Sequence, residues 1–171
     1  TRLDFAEYIS KLLKFSPSGN AAFSDTDSPY ALSMVKSGYM SAFDDGSFGA
    51  DMPIKTLDAA KIITDICGYK NLALSGGGYP NGYKSAAASL KLTSGIDSEY
   101  LSASDAALLL SRGLFLDRYE ENTLSGSGKS IAEEMYSVKT ISGVCRSKST
   151  GAQVGDGQIK IDDTVINADD Y

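Results

Sequence analysis

The chain has 171 residues, and 42% of them are apolar, a composition that supports a packed core and excludes wholesale disorder. Its formal net charge is −6 and its pI is about 4.6, which argues against a nucleic-acid-binding protein because such proteins cluster Lys and Arg. No stretch approaches the roughly 20 consecutive apolar residues of a membrane-spanning helix, so we expect no membrane insertion.

The first predicted element is a short amphipathic helix at the start of the chain. Thr1 stands three residues before Asp4, so each side chain can satisfy a backbone N–H of the other at a helix start. Phe5, Ile9 and Leu13 follow at helical spacing. Because a helix cap occupies the first residue, we expect the chain to be a processed or internal piece of a longer protein.

The same helical pattern occurs twice more, over residues 58–67 and 105–114, each time opened by an aspartate. Ser102 is the expected cap of the last copy. In the middle copy Lys55 stands at the cap position, so Thr56 is the alternative cap. The aspartates themselves need no functional explanation, since negative charge at a helix N-terminus favours the helix dipole.

A second type of helix precedes the last two copies. It is predicted after Pro29 and from Tyr83 to about residue 92. Tyr30 and Tyr83 are 53 positions apart, whereas Asp58 and Asp105 are 47 apart. The difference falls in the loop between the two helix types, where insertions are tolerated, so the sequence predicts one repeated helix–loop–helix unit.

The last third of the chain has a different pattern. Residues 118–134 are predicted to be a linker, since they contain a Ser-Gly-Ser-Gly run at 125–128. Val, Ile and Tyr in residues 135–146 and 158–167 predict strands, with a tight turn at Asp162. We therefore expect a small, incomplete β-module over 135–171 and an α+β fold for the whole chain.

The amino-acid composition restricts the kinds of catalytic and metal sites that the chain can form. The chain has no His, which removes Ser-His-Asp triads and most zinc sites, and no activated nucleophile is visible, so we expect no enzyme, no cofactor and no metal. Calcium at the paired carboxylates of Asp25 and Asp27, or of Asp44 and Asp45, is less favoured than ordinary turns. Cys67 and Cys145 are expected to be two buried thiols, although a disulfide between them stays an alternative.

Several short motifs occur at fixed offsets in the middle of the chain: Phe23-Ser24-Asp25, Tyr30-Ala31, Ser37-Gly38-Tyr39, Asp44-Asp45-Gly46-Ser47-Phe48 and Pro53-Ile54. Together they resemble an S-layer homology repeat. Residues 1–15 look like the end of a preceding repeat and residues 72–117 like a divergent third one, so the resemblance covers about 1–117. The segment from Thr123 onward resembles the β-rich regions that follow such repeats in surface proteins of Firmicutes.

The resemblance implies a bundle of helices with pseudo-three-fold symmetry and grooves that bind secondary cell-wall polysaccharide. The function it implies is a non-enzymatic, extracellular module that anchors a larger protein to a Gram-positive cell wall. Arg2 matches the family's motif arginine, which pairs with a carboxylate. The equivalent positions hold Thr56 and Ala103, and Lys55 is adjacent. The candidate binding residues are Arg2, Asp25, Tyr30, Lys55 and Tyr83.

The missing arginines also favour a second interpretation. The same fold can serve as a structural subunit or decoration of an extracellular assembly such as an S-layer, a filament or a virion. In that case the partners are neighbouring protein subunits, copies of the same chain among them, rather than polysaccharide.

Overall fold

The computed structural model describes residues 1–17, 19, 23–119, 128–141, 143–148 and 154–167, which form parts of two compact units, 1–137 and 138–171. The first unit is helical and the second holds a small antiparallel sheet, so the fold is α+β, as predicted. The described helices are α1 (Arg2–Leu12), α2 (Pro29–Lys36), α3 (Thr56–Ile66), α4 (Lys70–Ser75), α5 (Asn81–Ser89), α6 (Ala103–Phe115) and α7 (Ile131–Tyr136).

The three predicted aspartate-opened segments are α1, α3 and α6, and two of them have the predicted caps. The Asp4 N–H donates to Thr1 Oγ1 at 3.2 Å, and the Asp105 N–H donates to Ser102 Oγ at 3.1 Å. Thr56 does not cap α3, because it is the first residue inside the helix and its hydroxyl donates to the backbone of a distant loop.

The C-terminal ends of α1 and α3 repeat one geometry. Lys14 and Gly68 follow the helices with φ of 51° and 84°, the left-handed conformation of a helix C-cap. The next residue then returns to the helix: the Phe15 N–H donates to the Ser10 carbonyl at 2.9 Å, and the Tyr69 N–H to the Thr64 carbonyl at 2.9 Å. The same closure ends α2, α4 and α5, at Gly38, Gly77 and Lys91, so it is a common helix C-terminus and does not by itself mark the predicted repeat.

The long helices share one apolar core. It contains Phe5 and Ile9 from α1, Ile63 from α3 and Leu109 from α6, all buried. The short helices lie beside the long ones: α2 packs against α1, and α5 against α3. α6 approaches α3 closely at Gly113, where an added Cβ would lie 2.6 Å from Ile63 Cγ2.

The segment that was expected to be a linker, residues 118–134, contains the start of helix α7. Residues 120–127, which include most of the Ser-Gly run, lie outside the described part of the chain. Beyond them Ser130 and Glu133 form a capping box, and Ile131 and Ala132 are buried as α7 packs against α6. The Ser-x-x-Glu signature starts a helix at this point, so the expectation of a linker to 134 and a strand from 135 does not hold.

The second unit contains β1 (Cys145–Lys148), β2 (Gln158–Ile161) and β3 (Thr164–Asn167), arranged antiparallel in the order β1-β2-β3. β2 and β3 are joined by the tight turn that was predicted, with Asp162 at a φ of 46°. The alternation of Ile with polar residues thus corresponds to one hairpin, and a third strand pairs with it across an irregular register.

The two cysteines have different surroundings. Cys67 is buried at the end of α3, where its thiol donates to the Gly113 carbonyl at 3.5 Å. Burial raises its pKa to about 12. Cys145 is exposed, so its expected burial is wrong: its strand lies at the edge of a three-stranded sheet, where side chains are only partly covered.

Gly113→Ala tests the close approach of α6 and α3. We expect it to destabilise the fold by about 1–3 kcal/mol, because the new methyl group overlaps a buried β-branched side chain that has little room to move. Urea unfolding measures the change. Ser111→Ala, an exposed position on the same helix, should leave stability within about 0.5 kcal/mol. Equal stability of both variants would contradict the packing described.

Thiol labelling tests the environments of the cysteines. At pH 8 we expect one thiol per native chain to react quickly with a disulfide reagent, and this fast phase should disappear in Cys145→Ser. Cys67 should react only on unfolding, since it is buried and its raised pKa keeps the thiol protonated. A second fast thiol in the native chain would show that α3 and α6 are not packed as described.

Candidate functional site

The loop between α2 and α3 is held from two sides by predicted site residues. Arg2 donates from Nε to the Phe48 carbonyl at 3.0 Å and from Nη2 to the Ser41 carbonyl at 2.9 Å. Asp25 accepts from the backbone N–H groups of Phe48 and Ala50, both at 2.7 Å. We call this arrangement, in which both the N–H and the carbonyl of Phe48 are hydrogen-bonded to side chains, the Phe48 clamp.

The two charged side chains of the Phe48 clamp, Arg2 and Asp25, interact with other groups of the same chain. The Arg2 guanidinium lies 5.1 Å from the ring centres of both Phe43 and Phe48. Burial lowers the pKa of Arg2, and the nearby carboxylates of Asp58 and Asp25 act in the opposite direction. The pKa of Asp25 is lowered by the hydrogen bonds it accepts from Ala50 and then Phe48. Arg2 and Asp25 thus fix a loop.

The next repeat uses Thr56 in place of Arg2. The Thr56 N–H donates to the Glu99 carbonyl at 2.9 Å, just as the Arg2 N–H donates to the Met52 carbonyl at 2.8 Å. The Thr56 hydroxyl adds a bond of 2.7 Å to the Ser98 carbonyl. Arg2 and Thr56 occupy the same position of the predicted repeat. Each therefore attaches the first turn of a long helix to the loop of the following repeat.

Lys55 lies at the mouth of a groove that is formed by the start of α3, by α5 and by the loop before α6. The groove has a volume of about 350 Å³. Its polar groups include two lysines and the exposed Tyr79, and its apolar groups include Leu57, Ala87 and Ile96. We call it the Lys55 groove; it is lined by Lys55, Thr56, Leu57, Tyr79, Lys84, Ala87, Thr93, Ile96, Ser98 and Glu99.

The polar groups of the Lys55 groove are partly paired. Lys55 Nζ lies 3.2 Å from the Glu99 carboxylate, an exposed ion pair whose hydrogen bond raises the pKa of Lys55. The Tyr79 hydroxyl donates to Asp58 Oδ1 at 2.9 Å, while 52% of the residue stays exposed. The groove therefore offers exposed cations beside an aromatic ring, the combination that acidic sugars bind.

Tyr83 and Tyr30, the two remaining candidate residues, do not line the Lys55 groove. Tyr83 is only 3% exposed; its hydroxyl donates to Asp65 at 2.7 Å, and burial raises its pKa. Its ring is thus out of reach of a polysaccharide. Tyr30 is half-buried on α2, with Lys11 Nζ at 5.7 Å from its ring centre. The five sequence candidates are therefore divided between a loop clamp, a groove and two packing sites.

Sequence reasoning missed Lys84 and the loop residues Ser98 and Glu99. The 47-residue offset between repeats was the available signal for Glu99, since it places this residue at the position of Met52. Lys84 had no comparable signal, because only the packing of α5 against α3 brings it to the groove.

The residues that the structure describes contain no group of three or more acidic or cysteine side chains arranged to hold a metal ion. No helix among them has the length and apolar character needed to cross a bilayer.

Comparison of the chain with protein-family models, with curated proteins and with solved structures gives no significant match.

Asp25→Ala tests the Phe48 clamp. Because the folded pKa of Asp25 is lowered, its contribution to stability is present above the unfolded pKa of about 3.9 and is lost as the pH falls through the folded value. The thermal midpoint of the variant should therefore lie below that of the original chain at pH 7, with a smaller gap at about pH 2.

The matched control is Asp27→Ala, which removes an exposed carboxylate two residues further on. It should leave the midpoint nearly unchanged at both pH values. A pH-independent gap for Asp25→Ala would show that the carboxylate charge plays no part in holding the loop.

Proposed function

We propose that this chain is a non-enzymatic cell-surface module with an S-layer homology-like bundle, which anchors a larger extracellular protein to Gram-positive cell-wall polysaccharide. The support for the bundle is the repeated backbone geometry: three long helices share one core, and two of them bind the loop of the following repeat through the same backbone N–H. A pseudo-three-fold arrangement of repeats produces such contacts by construction.

The observation that carries the binding function is the composition of the Lys55 groove. Lys55 and Lys84 supply positive charge beside the exposed ring of Tyr79, and Thr56 and Ser98 supply hydroxyl groups at the same groove. A sugar stacks on an aromatic ring through its apolar face, and an acidic substituent pairs with ammonium groups. The polysaccharide therefore binds with a ring against Tyr79 and a carboxylate between the lysines.

The ion pair between Lys55 and Glu99 does not prevent this. Both partners are largely exposed, and pairs of this kind contribute about 0–1 kcal/mol, so a ligand carboxylate exchanges with Glu99 at small cost. Arg2 does not contact the ligand in this proposal. It orders the loop between α2 and α3 through two hydrogen bonds.

The engagement of Arg2 favours a second candidate function. The residue that the family resemblance assigns to carboxylate recognition binds two backbone carbonyls, and Ala103 at the third equivalent position has no side-chain donor. Both facts agree with a bundle kept for packing, as in a subunit of an S-layer, filament or virion. Negative-stain microscopy of native material separates the two functions, since an anchor alone forms no ordered polymer.

A pull-down with purified Gram-positive cell-wall sacculi tests polysaccharide binding. The original chain should sediment with the sacculi, and Lys55→Ala combined with Lys84→Ala should lower the apparent affinity by about tenfold or more, because both cations of the groove are lost. Added salt should weaken the original interaction as well.

The control variant combines Lys36→Ala with Lys70→Ala, which removes the same total charge at exposed helix positions away from the groove. It should bind sacculi like the original chain. Binding that persists unchanged in the double groove variant would rule out the Lys55 groove as the site, and no binding by the original chain would leave the structural function.

A further inference from the structure

The two lysines of the Lys55 groove differ in what surrounds their ammonium groups. Lys55 Nζ lies 3.2 Å from the Glu99 carboxylate and 5.9 Å from the ring centre of Tyr100. Lys84 is exposed, and its ammonium group has no hydrogen-bond or ion-pair partner among the residues that the structure describes. An anionic ligand in the groove therefore meets Lys84 without a competitor and Lys55 with one.

The main chain holds Glu99 at the mouth of the groove. The Thr56 N–H donates to the Glu99 carbonyl at 2.9 Å, and two residues further on the Leu101 N–H donates to the Ile54 carbonyl at 3.0 Å. These two bonds attach the loop to the start of α3 at and beyond Glu99. The carboxylate therefore stays within reach of Lys55, although 66% of the Glu99 side chain is exposed.

The ion pair is not required for the attachment of this loop. At the start of α1 the Arg2 N–H donates to the Met52 carbonyl at 2.8 Å, which is the same type of backbone bond, and Met52 carries no charge. Exposed ion pairs also contribute little to stability. Neutralising Glu99 should therefore leave the loop in place and change only the charges of the groove.

We propose that Glu99 is a built-in competitor for acidic ligands in the Lys55 groove. Its carboxylate makes with Lys55 the contact that a ligand carboxylate would make. An acidic ligand therefore binds first through Lys84 and gains the second cation only when it displaces Glu99. Glu99 thus lowers the affinity for acidic sugars. This inference rests on the proposed function, since it takes the groove as the site of an acidic polysaccharide.

A double-mutant cycle on Lys55 and Glu99 tests the competition. The probe is trigalacturonic acid, in which each linked sugar carries a carboxylate, and NMR shifts of backbone amides in the groove report its binding at pH 7 and about 0.15 M salt. Glu99→Gln should tighten binding by about two- to fivefold, the factor that release of one exposed ion pair provides. In Lys55→Ala the same substitution should change the affinity by less than about 1.5-fold, because no cation is released and salt screens the remaining charge.

The single lysine variants test the order of contact in the same titration. Lys84→Ala should weaken probe binding by about threefold or more, because its ammonium group has no competitor. Lys55→Ala should weaken binding less, since Glu99 already occupies that cation. A larger loss for Lys55→Ala than for Lys84→Ala would contradict the proposed order.

Glu7→Gln is the matched control. Glu7 forms an exposed ion pair of 2.6 Å with Lys11 on α1, and neither residue lines the groove. The substitution makes the same change in net charge and releases a lysine elsewhere, so it should leave probe binding unaltered.

Three results would overturn the proposal: an equal gain from Glu99→Gln with and without Lys55, a gain of the same size from Glu7→Gln, or no probe binding up to about 10 mM. Sedimentation with cell-wall sacculi is measured separately on the same variants. A chain that shows the cycle without sedimenting supports the competition and contradicts the proposed function. Sedimentation without the cycle does the reverse.

Discussion

The fold depends on how the first turn of a long helix is bound to the next repeat. The leading N–H groups of a helix have no partner within it, and here one of them, at Arg2 or Thr56, donates to a carbonyl in the loop of the following repeat. The side chain at the same position adds a second bond to that loop. Each repeat thereby satisfies a backbone donor of its predecessor, and the loops become part of the bundle.

This constraint explains why the motif arginine and the charged groove are separate. Arg2 spans a long loop and reaches two carbonyls in it, so its guanidinium is bound to the chain and half-buried between aromatic rings. Thr56 attaches a shorter loop with a hydroxyl, and this leaves space beside α3 into which Lys55 and Lys84 project as groove walls. The groove with exposed cations is thus formed beside the attachment that the smaller side chain makes.

The sequence predicted what depends on local rules and missed what depends on packing partners. Capping pairs such as Thr1 with Asp4 and the turn at Asp162 follow from neighbouring residues, and the structure contains both. The capping box at Ser130 is equally local and was overlooked because its surroundings are rich in Ser and Gly. The burial of Tyr83 and the intrachain bonds of Arg2 depend on residues 18 to 46 positions away, which no local pattern reports.

The Lys55 groove combines two kinds of physical chemistry. Its cations, Lys55 and Lys84, act through charge, so attraction of an anionic group to them weakens as salt screens the charges. Its apolar side chains Leu57, Ala87 and Ile96 act through buried area, and a contribution of this kind persists in salt. Because both sets of side chains line one groove, the dependence of binding on ionic strength separates the charged part of an interaction there from the apolar part.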